Sequence, residues 1–273
     1  MFVDRKGNNV RIVTDNSEQK AIKTIEYKND EITQLAFISD LHAGSASQAL
    51  EECRDFVEYA YSKDIHEIYI GGDLLAGVHM HAGMEYETKN NIEDQLKLMS
   101  AALPKKDDLK YKFILGNHDM SFTKQIGLNV GRYISLYRPD LEYLGAEEAQ
   151  IEIDNFKIRL VHPDGGVSYA LSYKPQKFIE SLQAISTDID MVLMGHYHVH
   201  SLVHYGRTVG ISLPAFEHQT MYLSRKGKVP TVGGIILTLY KQNGAVSFTY
   251  EAKIYKTKSA YEIRKDNPVF EIE

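Results

Sequence analysis

From residue 35 to residue 115 the chain alternates three strand-sized apolar runs with two stretches of helical period, and this alternation narrows the choice of fold more than any other feature. The runs are Leu35–Ser39, His66–Ile70 and Lys112–Leu115. Between the first two, Ser45 and Gln48 make a capping-box pattern that predicts a helix running to about Tyr61. Between the second and third, Ile92, Leu96, Met99 and Leu103 recur at helical spacing, and Pro104 stops the run. A βαβαβ order calls for largely parallel strands with helices on the faces, so the class is α/β. The second half is richer in strands. Gln150–Ile153 and Phe156–Val161 flank Asp154-Asn155, a tight-hairpin signal. Pro175 leads a helix carrying Phe178, Ile179, Leu182 and Ile185. Met191–Met194 follows as a strand, and His200–Tyr205, Thr208–Leu213, Gly234–Tyr240 and Ala245–Tyr255 read as mostly antiparallel strands.

The 273 residues are 43% hydrophobic and 25% charged, which suits one large domain, or one with a small appendage, and excludes disorder or coiled coil as the dominant state. Residues 1–33 are polar and weakly patterned and are read as an N-terminal extension. Residues 34–256 form the main domain and 257–273 a C-terminal tail. The formal net charge of −6 supplies no global basic field for nucleic acid, which leaves only a local groove for that purpose. A single cysteine, Cys53, excludes an intrachain disulfide and a thiolate zinc cluster, and it is expected to pack in the first helix. The start, Met1-Phe-Val-Asp-Arg-Lys-Gly, has no apolar targeting segment, and the apolar runs fall far short of the roughly twenty residues that cross a bilayer. The expectation is a cytoplasmic protein in a reducing compartment, without membrane contact.

Eleven histidines leave a nitrogen- and oxygen-ligated metal site open, and the chemistry-bearing side chains gather at strand ends, where α/β sheets build their sites. Asp40-Leu-His42 ends the first run, Gly71-Gly-Asp73 the second and Gly116-Asn117-His118-Asp119 the third. His162 ends Phe156–Val161, and Gly195-His196-Tyr197-His198 ends Met191–Met194. Taken singly these are unequal signals. Asp-x-His and Gly-Asp are common, and a lone His162 is an ordinary strand-end histidine. Gly-His-x-His is intermediate, and Gly-Asn-His-Asp is a rare four-residue pattern. All five, in this order and each at a strand terminus, exceed coincidence.

In these motifs the chain resembles the calcineurin-like metallophosphoesterases, whose pattern runs D-x-H, G-D, G-N-H-[DE], H, G-H-x-H; the resemblance covers about residues 35–240. It implies two packed mixed β-sheets flanked by helices, a four-layer sandwich, around a binuclear metal centre. Carried over residue by residue, Asp40, His42 and His198 hold one metal, Asn117, His162 and His196 the other, and Asp73 bridges both. His118 matches the family's non-ligand histidine near the leaving group. Asp119 either orients His118 or caps the next helix towards solvent. Neutral imidazoles beside carboxylates suit manganese, iron or zinc better than magnesium alone, with manganese the first expectation. Two such cations lower the pKa of a shared water and clamp phosphoryl oxygens, so the implied reaction is attack of metal-bound hydroxide on phosphorus, with His118 serving the leaving oxygen. The chain departs from the family in reading His162-Pro-Asp-Gly-Gly in place of His-Gly, and in lacking the extra Asp after Asp73 found in some branches. No ligand is lost by either change.

A narrower resemblance bears on substrate. The loop Gly77-Val-His-Met-His-Ala-Gly83, the helix Asn91–Leu103 with Gln95, and the segment Phe216-Glu-His-Gln219-Thr220 with Arg225–Lys228 and Pro230-Thr231 are similar to parts of archaeal DNA polymerase small subunits, which in turn resemble double-strand-break repair exonucleases. This implies a nuclease-like phosphodiesterase acting on nucleic acid or nucleotides, with a protein partner or homo-oligomer as further expectations. Arg225–Lys228 is either a phosphate-positioning element or a solvated turn. Ordinary packing is the first reading for His79, His81, His200, His204 and His218. Two other functions fit the same motifs: a phosphomonoesterase for phosphoprotein or nucleotide, and a scaffold or binding subunit of a nucleic-acid-processing complex. The roles assigned above have a direct test. His118→Ala should keep bound metal and lose most diester turnover, whereas Asp73→Ala should lose metal as well; equal metal loss in the two variants would overturn the assignment.

Overall fold

The protein is described here by a computed structural model over residues 2–6, 9–13, 22–27, 32–166, 168, 170–185, 188–242 and 245–266. In chain order the first half comprises β1 (Phe2–Lys6), β2 (Asn9–Val13), β3 (Lys23–Tyr27), β4 (Ile32–Ile38), α1 (Leu50–Ser62), β5 (Glu67–Ile70), α2 (Ile92–Ala102), β6 (Lys110–Leu115), α3 (Asp119–Ile126), α4 (Val130–Tyr137) and β7 (Leu141–Ala146). The second half comprises β8 (Glu148–Ile153), β9 (Phe156–Val161), α5 (Tyr173–Ala184), β10 (Met191–Met194), β11 (Ser201–Tyr205), β12 (Thr208–Ser212), α6 (Met221–Arg225), β13 (Val232–Gln242), β14 (Ala245–Tyr255) and α7 (Ala260–Asp266). No described helix is long and apolar enough to cross a membrane.

Two six-stranded mixed sheets result, in the orders β14-β13-β4-β5-β6-β7 and β11-β12-β10-β9-β8-β3. Strands β4, β5, β6 and β7 are mutually parallel, as the βαβαβ pattern requires, and β13 closes antiparallel onto β4. Two-sided burial explains why Leu35–Ile38 of β4 read as an unbroken apolar run. Leu35 and Phe37 enter the core between the sheets, whereas Ala36 and Ile38 face Phe56, Val57 and Leu96 of the helices. β10 divides in the same way. Met191 and Leu193 turn to the other sheet, and Val192 and Met194 pack under Ile179 and Leu182 of α5. Helices, sheet, sheet and helix thus form the four layers expected, and Cys53 is buried in α1 against the first sheet.

Several boundaries differ from the sequence reading. α1 opens at Leu50, and its N-cap Ala49 has no side-chain cap. The capping-box residues act elsewhere, because Gln48 accepts from Gly44 N at 2.8 Å and Ser45 accepts from Ser47 N at 3.1 Å. Backbone bridges from Ser45 to Thr88 and from Gln48 to Glu217 draw this stretch into tertiary pairing before the helix starts. Among the late strands β12 pairs parallel with β10 and only β11 antiparallel with it, so that part of the sheet is mixed. The presumed extension contributes β3, which pairs parallel with β8, and a β1–β2 hairpin. The presumed tail contains α7, opened by a true capping box in which Ser259 Oγ accepts from Glu262 N and Glu262 Oε2 accepts from Ser259 N; residues 267–273 lie outside the described residues. β7, α3 and α4 carry no turn or periodicity signal strong enough to announce them.

Gly234 shows how tightly the first sheet meets α1. A Cβ there would lie 2.7 Å from the ring of Phe56. Gly234→Ala should therefore lower unfolding free energy by about 1–3 kcal/mol, the cost of overpacking a close-packed core. Adding Phe56→Leu should recover part of that loss in chemical denaturation.

Candidate metal centre

The carboxyl ends of β4, β5, β6, β9 and β10 meet at one edge of the sandwich, and each delivers part of a polar cluster. The backbone there is unusual. Asp40, His42, Asp73, His196 and His198 all have positive φ, between 41° and 77°, where side chains other than glycine are strained by roughly 1–2 kcal/mol each. Aspartate and histidine tolerate this region better than most residues. The motif glycines answer a space requirement. A Cβ on Gly116 would sit 2.1 Å from Asp73 Oδ1, and one on Gly72 (φ 94°) would sit 2.5 Å from His162 Nδ1.

All seven sequence-predicted ligands converge. His42 Nε2 stands 3.0 Å from His198 Nε2, 3.8 Å from Asp40 Oδ1 and 3.7 Å from Asp73 Oδ2, and His198 Nε2 is 3.2 Å from Asp40 Oδ1. On the other side, His162 Nε2 lies 3.1 Å from Asp73 Oδ2 and 3.2 Å from Asn117 Oδ1, which is 2.9 Å from His196 Nδ1. Donor atoms of Asp40, His42 and His198, and those of Asp73, His162 and His196, form two sets within 4.8 Å, and a third joins His42, Asp73 and His118. Asp73 therefore touches both halves.

This donor set suits divalent cations. It is nitrogen and oxygen without sulfur, and among the described residues Asp40 and Asp73 have ion-pair partners only in imidazoles. His42 and His198 turn ring nitrogens on each other across 3.0 Å, where no more than one proton fits. Both carboxylates are buried, which by itself would raise their pKa. The imidazoles, chiefly His198 for Asp40 and His162 for Asp73, outweigh burial and hold both below the usual carboxylate range. Burial likewise disfavours charge on His42 and His162, yet Glu217, Asp40 and Asp73 push His42 up to about 10, and Asp73 and Asp40 push His162 up to about 9. A cation bound here would take the place of those protons.

Hydrogen bonds set the rings. His162 Nδ1 donates to Gly71 O at 2.7 Å, and His196 Nε2 donates to Gly165 O at 2.6 Å. Gly165 belongs to the His162-Pro-Asp-Gly-Gly departure, so that altered loop supplies the acceptor that orients a neighbouring ligand. His118 Nδ1 donates to Ala76 O at 2.6 Å, and its ring meets His42 edge-on. Burial drives His118 down to about 4, although Asp73 works in the opposite sense. Asp119 neither orients His118 nor faces solvent. Its buried carboxylate accepts from Leu74 N, Leu75 N and Gly116 N at 2.8–3.2 Å, tying the β5 loop to the β6 loop. Burial and the nearby Asp73 push its pKa up to about 7.

Three features lie outside the five strand-end motifs. Glu217 is buried, with Oε2 3.6 Å from His198 Nδ1 and 4.0 Å from His42 Nε2. Gln95, fully buried, accepts from Gly77 N and donates to Gly77 O and Lys89 O, which fixes the 77–83 loop. A cleft of about 460 Å³ opens on the cluster, and its lining also includes Met80, His81, Met84, Tyr222 and Leu223. His81 stacks on Tyr222 with ring centroids 4.9 Å apart, which joins two segments 141 positions distant in sequence. Of the other histidines, His79 and His204 are exposed, His200 bonds Ser212 O, and His218 is buried near Glu52. Arg225, Lys226 and Gly227 are exposed at the end of α6.

A family model for the calcineurin-like phosphoesterase superfamily domain matches residues 34–213. The DNA polymerase II small subunit of Halobacterium salinarum is 32% identical over 97 residues, covering 33% of this chain and 19% of that protein. The DNA polymerase II small subunit of Methanocaldococcus jannaschii is 24% identical over 247 residues, covering 74% of this chain and 41% of that protein. The chain thus spans less than half the length of these relatives. A solved archaeal phosphodiesterase is similar over 81% of this chain and 100% of its own, at 14% identity and a TM-score of 0.47.

Because His42 and His162 keep their protons well above neutrality in the metal-free cluster, cation uptake should expel protons, and affinity should rise as pH increases towards 9. Calorimetry in buffers of differing ionisation enthalpy measures this directly; metal uptake without net proton release at pH 7 would contradict it. Asp119→Ala strands three buried N–H groups and should cost about 2–4 kcal/mol of stability, read by thermal unfolding.

Proposed function

The chain belongs to the calcineurin-like phosphoesterase superfamily, a class of metal-dependent phosphoester hydrolases, and we propose that it is a binuclear phosphodiesterase acting on nucleic acid or nucleotides. One observation carries this reading. The lining of the cleft contains two kinds of group, the carboxylates and imidazoles of the cluster and the stacked His81–Tyr222 pair with Met80 and Met84. A nucleoside phosphodiester has two matching parts, an anionic phosphate and a flat, apolar-faced base, and base–aromatic stacking contributes about 1–3 kcal/mol per base. The similarity to polymerase small subunits supports the same substrate class and, with it, work beside a protein partner.

When bound, two divalent cations, held by Asp40, His42 and His198 and by Asn117, His162 and His196 with Asp73 shared, supply Lewis-acid charge and a means to ionise water near neutral pH. Manganese, iron or zinc fits this donor set. The chain's own groups do the rest. Asp73 keeps Oδ1 on His118 N at 2.8 Å and turns Oδ2 to both halves of the centre, so one side chain sets the spacing of the two. His118, its Nδ1 proton committed to Ala76 O, has Nε2 as the atom that carries a proton to the leaving oxygen. An anionic phosphodiester beside the ring favours its charged form, against the burial that lowers it.

The test is manganese-dependent hydrolysis of bis-p-nitrophenyl phosphate against p-nitrophenyl phosphate, run beside end-labelled single- and double-stranded DNA, RNA and a cyclic dinucleotide. Diester turnover well above monoester turnover is expected, and a clear monoester preference would replace this reading with a phosphomonoesterase. Tyr222→Ala should lower kcat/KM for a dinucleotide about tenfold while metal affinity holds.

A further inference from the structure

Three histidines of the centre share one arrangement. His162, His196 and His118 each donate one ring N–H to a main-chain carbonyl, those of Gly71, Gly165 and Ala76, at 2.6–2.7 Å. A carbonyl only accepts, so one proton is held on that nitrogen and the other ring nitrogen is turned towards the cluster. His198 breaks the pattern. Its Nε2 faces Asp40 Oδ1 at 3.2 Å and His42 Nε2 at 3.0 Å, yet its Nδ1 is buried without a hydrogen-bond partner. The group 3.6 Å from that nitrogen is Glu217 Oε2.

Glu217 is itself in an anomalous position. It is 5% exposed, and among the described residues its carboxylate has no side-chain hydrogen bond and approaches only His42 and His198 as ion-pair partners. Glu217 lines the cleft, where its carboxylate keeps some access to solvent, whereas a buried, unpaired imidazole nitrogen such as His198 Nδ1 is costly. The carboxylate and the unpaired nitrogen lie side by side. The backbone that presents Glu217 is held firmly, since Phe216 N donates to Ser39 O and Asp40 O, His218 N donates to Ser47 O, and Glu217 pairs with Gln48 in a β-bridge. The strand end that carries Asp40 therefore also anchors the segment that carries Glu217.

We propose that Glu217 is the positioning carboxylate of His198: by accepting the Nδ1 proton it fixes ring and tautomer, and leaves Nε2 as the ligand atom for the cation shared with Asp40 and His42. The proposal rests on the metal-centre reading above. It adds to that reading a residue from outside the five motifs and from beyond residues 34–213.

The test combines long-range ¹H–¹⁵N correlation of the histidine rings, on metal-free and zinc-loaded protein, with calorimetric zinc titration of the wild type, Glu217→Gln and Glu217→Leu. The wild type should carry the His198 proton on Nδ1. Glu217→Gln retains an acceptor oxygen and should keep that tautomer, with zinc affinity within about threefold. Glu217→Leu should lose the tautomer preference and drop affinity at one of the two sites by about 10–100-fold, while thermal unfolding of the metal-free protein stays at or above the wild-type value. Unchanged affinity in Glu217→Leu overturns the proposal alone. Equal losses in the Gln and Leu variants also overturn it, because charge or direct ligation would then be the cause. A wild type that takes up no zinc overturns the centre and the proposal together.

Discussion

Asp40 and Asp73 lie buried among imidazoles, and among the described residues no lysine or arginine neutralises either of them. Most of the structure is organised around that concentration of lone pairs. Two carboxylates so far from water are tolerable only if something positive replaces the solvent, and ring protons do so only in part: His42 and His198 cannot both be protonated across 3.0 Å. Divalent cations answer the charge, the geometry and the donor chemistry together. The shifted pKa values of His42 and His162 express the same pull on a smaller ion, the proton.

Holding such a cluster requires a scaffold that does not relax. Five of its side chains sit on left-handed backbone, and at roughly 1–2 kcal/mol each that strain approaches the whole net stability of an ordinary domain. Strain of this kind persists where surrounding contacts over-determine the conformation. Here the contacts are specific. Asp119 gathers three N–H groups from two loops, Gln95 locks the 77–83 loop, and glycines at 72 and 116 let chain pass where a methyl group would strike Asp73 or His162. Parallel strands buried on both faces give these loops a rigid base.

The cleft follows from the same architecture. Its lining joins the cluster to residues of the 77–83 loop and α6, elements that share no secondary-structure pairing. Gly77 is pinned through Gln95 and Ser121 Oγ accepts from Val78 N, which brings His81 to Tyr222. The proposed diester reading rests on the presence of this aromatic pair in the same cleft as the polar cluster.

The amino-acid sequence determined the α/β class, the βαβαβ core and the seven groups that meet at the strand ends. The class, the core and the strand-end motifs rest on local information: apolar period, a glycine before a polar residue, a motif at a strand terminus; the choice of seven groups among the nine motif side chains is what the family resemblance implies. The sequence also contains the Ser259–Glu262 capping box that opens α7 within the expected tail. Tertiary structure decided what local pattern cannot encode. Ser45 and Gln48 have the spacing of a helix cap, but bridges to Thr88 and Glu217 give their backbone other partners. Asp119 follows His118 in sequence and serves Leu74, Leu75 and Gly116, because α3 turns its carboxylate inward. Glu217, His81 and Tyr222 belong to no periodic pattern; they acquire meaning only when chain closure sets them against His198, or against each other, across more than a hundred positions in the case of the two rings. A hydrogen bond or stacked pair between distant residues depends on a few tenths of an ångström of packing, and only the closed fold fixes that distance.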